Sequence, residues 1–309
     1  MVPRELVRHL PSSDAAKRRS RRASTYRSYE MHVRVHIRPA IGDVPLERMN
    51  TGHVEQVLAG VPGSAGTRHR VLTTLRCALN AEVKQRKIMY NPAAGVELER
   101  ENPAEAQRWT AAEAKRFIGY TAGDPLGLLY RIAVLAGERR GELCGLCWPR
   151  VNLADGVLTI DRTLLQLGGK LTEGTPKTRA GVRRVYLDTE TARLLRRHRE
   201  AQGLDRMLAG DAWQDGDLVF CQGDGRPWNP DHVSRRFRRL AVQAGVPPIK
   251  LHEANSLMRD AGVDQELRMQ IVGHSDRDIN SRYTHTLAEA HRAAAEQTAA
   301  YVLGKDGAL

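Results

Sequence analysis

The chain has 309 residues, enough for two domains with their own cores, and carries 48 Lys and Arg against 36 Asp and Glu, a net charge of +12. That imbalance favours a polyanionic partner, nucleic acid first. No stretch approaches the roughly 18 apolar residues of a spanning helix, and the first residues carry charge where a secretory signal needs an apolar core, so neither a membrane nor an exported protein is expected and the cytoplasm is the expected location.

Residues 1–22 are basic, with Lys17, Arg18, Arg19, Arg21 and Arg22 in one run. They read as a solvated tail, with a DNA-contacting arm as the competing reading. Residues 23–98 read as a small helical domain. Ser24 is placed to cap a helix carrying Tyr26, Tyr29, Val33 and Ile37, with Pro39 and Gly42 punctuating its end. Between Ser64 and Lys87 a longer helix sets Val71, Leu72, Leu75, Leu79 and Val83 at helical spacing. Arg68, Arg70, Arg76, Lys84 and Arg86 charge its other faces. The stretch NPAAGVELERENPAEAQ at 91–107 has two Asn-Pro steps and little apolar periodicity; it reads as connecting chain, with the linker proper at 99–108.

A second domain is expected over 109–292, opening where Thr110 precedes Glu113 as a helix start. Its strand-like runs VLTID (157–161) and RRVYL (183–187) flank a turn-rich GGKLTEGTPKTRAG and read as a hairpin in a mostly helical domain. Asn229 and Pro230 open a helix with Val233, Phe237, Leu240, Ala241 and Ala244 on one stripe. Arg235, Arg236, Arg238 and Arg239 crowd its other sides, either a solvated basic face or a phosphate-contacting one. An Ala-rich helix with a frayed end is expected from Thr286, with Glu289 completing a capping box, and residues 293–309 are set apart as C-terminal helix and tail. Cys144 and Cys147 form a CxxC pair, but no second pair completes a four-ligand zinc site. Core thiols are therefore expected, with no metal and no cofactor.

Breaking a phosphodiester without metal or nucleotide requires a nucleophile, cations for charge on the nonbridging oxygens, and an acid for the departing oxygen. Three distant segments carry such groups. In AGERRGEL (136–143), Arg139 follows Gly137 near a helix start, and its planar guanidinium can grip two phosphate oxygens; Glu142 shares its face and can orient it. Alone, such a pair reads as a surface ion pair. In TPKTRAGVRRVYL (175–187), Lys177 lies in a turn, with Arg179 its rival; alone, Lys177 is a surface lysine. In VGHSDRDINSRYTH (272–285), His274 and Tyr283 alone read as packing or core residues.

In combination, AGERRGELCGLCW, PKTRAGVRRVYL and GHSDRDINSRYTH resemble the tyrosine recombinase family, the phage-type integrases that cut DNA through a phosphotyrosine bond. TYRSYEMHVRVHIRPAIGDVPLERM and NPAAGV are similar to that family's core-binding domain, so the likeness runs from about Thr25 to Tyr301. It implies a mainly α fold with a small β component: a helical, SAM-like core-binding domain followed by a catalytic domain with a small antiparallel sheet. It also implies Tyr283 as nucleophile, Arg139 as first catalytic arginine, Lys177 as general acid, and His252 and His274 in the same site. Arg68, Arg70, Arg76, Arg179, Arg235, Arg236 and Arg239 become candidate DNA contacts. The partner implied is double-stranded DNA, with a homotetramer on two sites exchanging C-terminal elements, residues 286–303 being the candidate contact. The domain's usual first helix is not found ahead of residue 23, so full encirclement of DNA is not expected.

Two departures stand out. Ala136 replaces the usual threonine. At 251–264, LHEANSLMRDAGVD lacks four residues of a pattern like LHEARHTANSLMRDAGVD, and with them the second phosphate-binding arginine. Four helical residues turn through roughly 400°, so the downstream face rotates by only about 40° while the helix shortens by about 6 Å. The domain is expected to fold and the chemistry to be impaired, Arg259 being the nearest substitute. The resemblance thus implies a site-specific recombinase. A catalytically inactive DNA-binding relic or regulator is the alternative, and a strand-nicking topoisomerase comes third.

Overall fold

The computed structural model describes residues 23–99, 107–175, 182–251, 257–272 and 284–304. The chain divides into two compact units, Met1–Ala104 and Glu105–Leu309. Among the described residues the first unit is helical and the second is helical with two small antiparallel sheets, the expected fold class.

In the first unit, α1 (Ala23–His32) runs through a π-helical turn at Val33–Ile37 into α2 (Arg38–Ile41). Ser24 lies inside this run, and Pro39 does not end it. Proline has no N–H to give to the preceding turn, and the wide turn absorbs the fault: the Arg38 amide reaches back to the Val33 carbonyl. The run stops at Gly42, where a Cβ would lie 2.3 Å from the Arg38 carbonyl oxygen. Asn50 caps α3 (Thr51–Ala59), accepting the His53 amide at 3.2 Å. The long helix α4 (Ala65–Lys84) buries Val71, Leu72, Leu75 and Leu79 as the spacing requires, with Val83 only half-buried. They pack with Val33, Ile37, Ile41, Val54 and Val57. Ala93 and Val96 join this core, so the first Asn-Pro step belongs to the unit and not to the connection.

The second unit opens on α5 (Ala111–Tyr120) at the expected helix start, where Thr110 accepts the Glu113 amide at 3.3 Å and Glu113 accepts the Thr110 amide at 2.8 Å, a reciprocal cap. Helix α6 (Gly127–Ala136) is buried nearly all round and ends at Gly137, whose φ of +70° turns the chain into the short α7 (Arg140–Cys144). Strands β1 (Val151–Asn152), β2 (Val157–Ile160) and β5 (Arg183–Tyr186) form one sheet, with Ile160 opposite Arg183. The expected β2–β5 pairing is present. The chain between them also holds a second hairpin, β3 (Thr163–Leu167) with β4 (Lys170–Gly174), reversed at Gly168 and Gly169, both at positive φ, so only its turn and second strand fall in the turn-rich stretch.

Asp188 caps α8 (Thr189–Ala209), and Asn229 and Pro230 open α9 (Pro230–Gln243), whose Val233, Phe237, Leu240 and Ala241 are buried as the stripe requires. Phe237 packs against Trp109, Phe117 and Tyr130 with ring centroids 5.3, 4.9 and 5.5 Å away. Two short helices, α10 (Leu257–Asp260) and α11 (Gln265–Val272), precede α12 (Thr284–Leu303).

Helix α12 departs from expectation. It is already helical at Thr284, so Thr286 is not its cap, and the 292/293 boundary falls inside it. Its end is not frayed: Ala299, Val302 and Leu303 lie in the unit's main core, and Lys115 Nζ donates to the Leu303 carbonyl at 2.8 Å. Alternation of apolar and polar residues along the helix is answered by a docking surface in the same chain. Truncating Phe237 at the centre of the aromatic cluster should cost about 3–5 kcal/mol; urea unfolding of Phe237→Ala followed by tryptophan fluorescence measures it.

Candidate active site

Gly137 sets the start of α7, and Arg139 stands at its N-cap with extended backbone, φ −74° and ψ 139°. Glu142, three residues on, is buried beneath it. Its Oε1 accepts from Arg139 Nη1 at 2.9 Å and its Oε2 from the Arg139 amide at 3.3 Å, so side chain and backbone are held together. The Arg139 side chain nonetheless keeps 42% of its surface exposed. Helix α7 cannot shift easily. A Cβ on Gly141 would lie 2.6 Å from Thr163 Oγ1 on β3, and Arg140 Nη1 bonds Asp231 Oδ1 at 2.9 Å and Ser234 Oγ at 2.8 Å on α9.

A second arginine lies under the first. Arg183, at the start of β5, has a side chain only 6% exposed. Its Nη2 donates to Glu142 Oε2 at 2.9 Å and to Glu138 Oε2, and its Nε donates to the Ile271 carbonyl at 2.7 Å. The carboxyl of Glu138 is fully buried, and its Oε1 meets no donor among the described residues. The two carboxyls diverge for that reason. Burial pushes Glu138 up to about 8, against the pull of Arg183 and with the push of Glu142 beside it. Burial acts the same way on Glu142, but the hydrogen bonds and charges of Arg183 and Arg139 outweigh it and hold Glu142 below the usual carboxylate range.

Sequence reasoning missed Arg183 and Glu138. The signal was there: alternation along β5 turns Arg183 inward with Val185, and an inward arginine needs a carboxylate, which Glu138 supplies at the end of the apolar α6.

Other expected site residues fall in different places. Lys177, Arg179, His252, His274 and Tyr283 lie outside the described residues. Arg235 and Arg239 are exposed on α9. Arg236 is drawn into a forked pair with Asp124, Nε 3.1 Å from both carboxylate oxygens, and Arg76 donates from Nε to the Ala93 carbonyl at 3.0 Å and from Nη2 to that of Val96. Those two guanidiniums serve their own units' packing. Arg70 is exposed and Arg68 half-buried on α4. Arg259 bonds Asp260 at 2.9 Å. Cys144 and Cys147 are buried, burial pushing the Cys144 thiol up to about 12, which makes it inert packing.

Residues 108–290 match the model of the phage integrase family. The chain belongs to that family. It is 25% identical to an integrase of Saccharopolyspora erythraea over 92% of this chain and 79% of the relative. It is 23% identical to a XerC-like tyrosine recombinase of Caldanaerobacter subterraneus over 90% of this chain and 78% of the relative. Among solved structures it superposes on the integrase of transposon Tn1549 in complex with circular intermediate DNA, with a TM-score of 0.72 and 18% identity over 84% of this chain and 89% of that one. It also superposes on a lambda integrase tetramer bound to a Holliday junction, with a TM-score of 0.64 and 22% identity over 90% and 78%. These superpositions establish the fold. No helix among the described residues is long and apolar enough to cross a membrane.

The raised Glu138 value gives a stability test. Its folded pKa lies above the ordinary 4.5, so the folded state holds the proton more tightly and unfolding free energy falls as pH rises from there to about 8. Glu138→Gln has no proton to lose there. Urea unfolding across that window at fixed ionic strength should show the variant gaining on its parent as pH rises; parallel pH curves would remove the buried titration.

Proposed function

We propose that the chain is a site-specific recombinase of phage integrase type, cutting and rejoining double-stranded DNA through a 3′-phosphotyrosyl intermediate. The phenol oxygen of Tyr283 attacks the scissile phosphorus, Arg139 holds the nonbridging oxygens as charge grows on them, and His274 and His252 hydrogen-bond the same phosphate. The P–O bond to the 5′ oxygen breaks as Lys177 gives that oxygen a proton. One phosphodiester replaces another, so the 5′-hydroxyl can attack back and rejoin the strand without ATP. Four protomers on two DNA sites, in the cytoplasm, complete the reading.

The observation that carries it is Arg139: an arginine held at a helix start by a buried carboxylate, yet left partly open to solvent. A surface ion pair made for stability needs neither a buried carboxylate nor a second guanidinium behind it. Exposed Arg235 and Arg239 supply cations for backbone phosphates.

The four-residue gap favours one rival, a DNA-binding relic. Losing one preorganised donor costs about 10²–10³ in rate, and a whole guanidinium more. A duplex nicked near the crossover point, which traps the covalent intermediate, separates the two readings. The recombinase reading expects a covalent adduct that Tyr283→Phe abolishes. It also expects adduct formation to rise by at least about 10²-fold when Arg, His, Thr and Ala are inserted between Ala254 and Asn255. Salt-sensitive binding with no adduct, before and after the insertion, would establish the relic; in either case Arg235→Ala and Arg239→Ala should each lower the salt slope of binding by about one.

A further inference from the structure

Arg183 is too buried to touch DNA, and its donors go to three places far apart in sequence: Glu142 and Glu138, 41 and 45 residues away, and the Ile271 carbonyl, 88 residues away. Ile271 lies in the last turn of α11, two residues before the 273–283 segment that holds His274 and Tyr283. Glu142 is the carboxylate that fixes Arg139. One guanidinium therefore spans the support of the phosphate-gripping arginine and the chain entering the segment with the nucleophile.

We propose that Arg183 is a positioning residue for strand cleavage, locking Glu142, and through it Arg139, in register with the backbone that leads into residues 273–283. The inference rests on the recombinase reading for what is positioned, though not for the bridge itself. Glu138 has a part in it. With Glu142 alone, Arg183 and Arg139 would compete for one carboxylate. A second buried carboxyl group gives Arg183 Nη2 its own acceptor, so Glu142 stays shared, and because Glu138 adjoins Arg139 in the chain the same bond also fixes the backbone entering the α7 cap. A counter-charge for burial alone would need one partner, and such pairs are replaceable by apolar side chains of similar volume without loss of fold. Three acceptors on two distant segments describe a tie.

Arg183→Met alone leaves two carboxyls buried without their guanidinium, so the informative variant is Glu138→Leu combined with Arg183→Met, which removes the pair and leaves Glu142 on Arg139. Amide hydrogen exchange in the full chain should quicken by about 10-fold or more at both 139–143 and 268–272 while the rest of the unit is unchanged. On nicked duplex, single-turnover adduct formation should fall by about 10²-fold with affinity for that duplex within about twofold. In an Arg139→Ala background the same change should cost less than about threefold, because its route is already cut. Exchange altered at only one segment, at neither, or throughout the unit overturns the bridge. So does an undiminished 10²-fold loss in the Arg139→Ala background. A protein that binds the duplex and forms no adduct, before and after the four-residue insertion, refutes the recombinase reading instead, and the exchange result still decides whether Arg183 joins the two segments.

Discussion

One carboxylate, that of Glu142, organises the centre of the second unit. It collects the Arg139 amide, the Arg139 guanidinium and the Arg183 guanidinium on two oxygens, out of water. Magnitude separates it from the chain's other ion pairs. Exposed pairs such as Arg206 with Asp215 contribute about 0–1 kcal/mol, whereas stripping one partner from a buried pair costs about 3–5 kcal/mol, because a charge is left in low dielectric. A stable protein does not require such a cluster; an apolar core would serve as well. What the cluster supplies is direction, since a guanidinium bound on one edge to a fixed carboxylate has lost most of its rotamer freedom.

The framework transmits that fixity. The aromatic cluster of Trp109, Phe117, Tyr130 and Phe237 joins α5, α6 and α9, with Tyr130 Oη donating to the Val233 carbonyl at 3.0 Å. Helix α6 delivers the chain to Gly137, whose positive φ breaks the helix at the one place where Arg139 can become a cap and not an interior residue. Gly141 lets α7 lie directly on β3, and Arg140 fastens it to α9. The first unit uses a different device: the Arg76 guanidinium gathers carbonyls from the 93–96 segment onto α4, substituting hydrogen bonds for secondary structure.

Local chemistry was readable from sequence, and long-range docking was not. Thr110 with Glu113 and Asn229 with Pro230 start helices because a cap depends on residues within three of each other, and the Val71 to Leu79 stripe is buried because helical period is local. Arg139 and Glu142 share a face for the same reason. The failures are tertiary. Pro39 reads as a stop because its local cost is visible, whereas the π turn that absorbs it is not. The β3–β4 hairpin is hidden because composition marks its turn and second strand as a turn-rich stretch, and α12 looks frayable until the surface it docks on is known. Arg76 and Arg236 read as free cations because their acceptors are 17 and 112 residues distant. Alternation along β5 turns Arg183 inward, but its acceptors lie 41, 45 and 88 residues away, so the sequence alone does not show what it would meet there.

The same division shows in the two short helices that follow α9. Leu257 lies in the main core and Met258 in a satellite core with Val263, Ile271 and Ala294. Both are held by apolar packing, whereas Arg139, Glu142 and Arg183 are joined by hydrogen bonds. Packing and the polar cluster therefore rest on largely separate sets of residues and meet at Ile271, whose side chain lies in the satellite core and whose carbonyl accepts from Arg183.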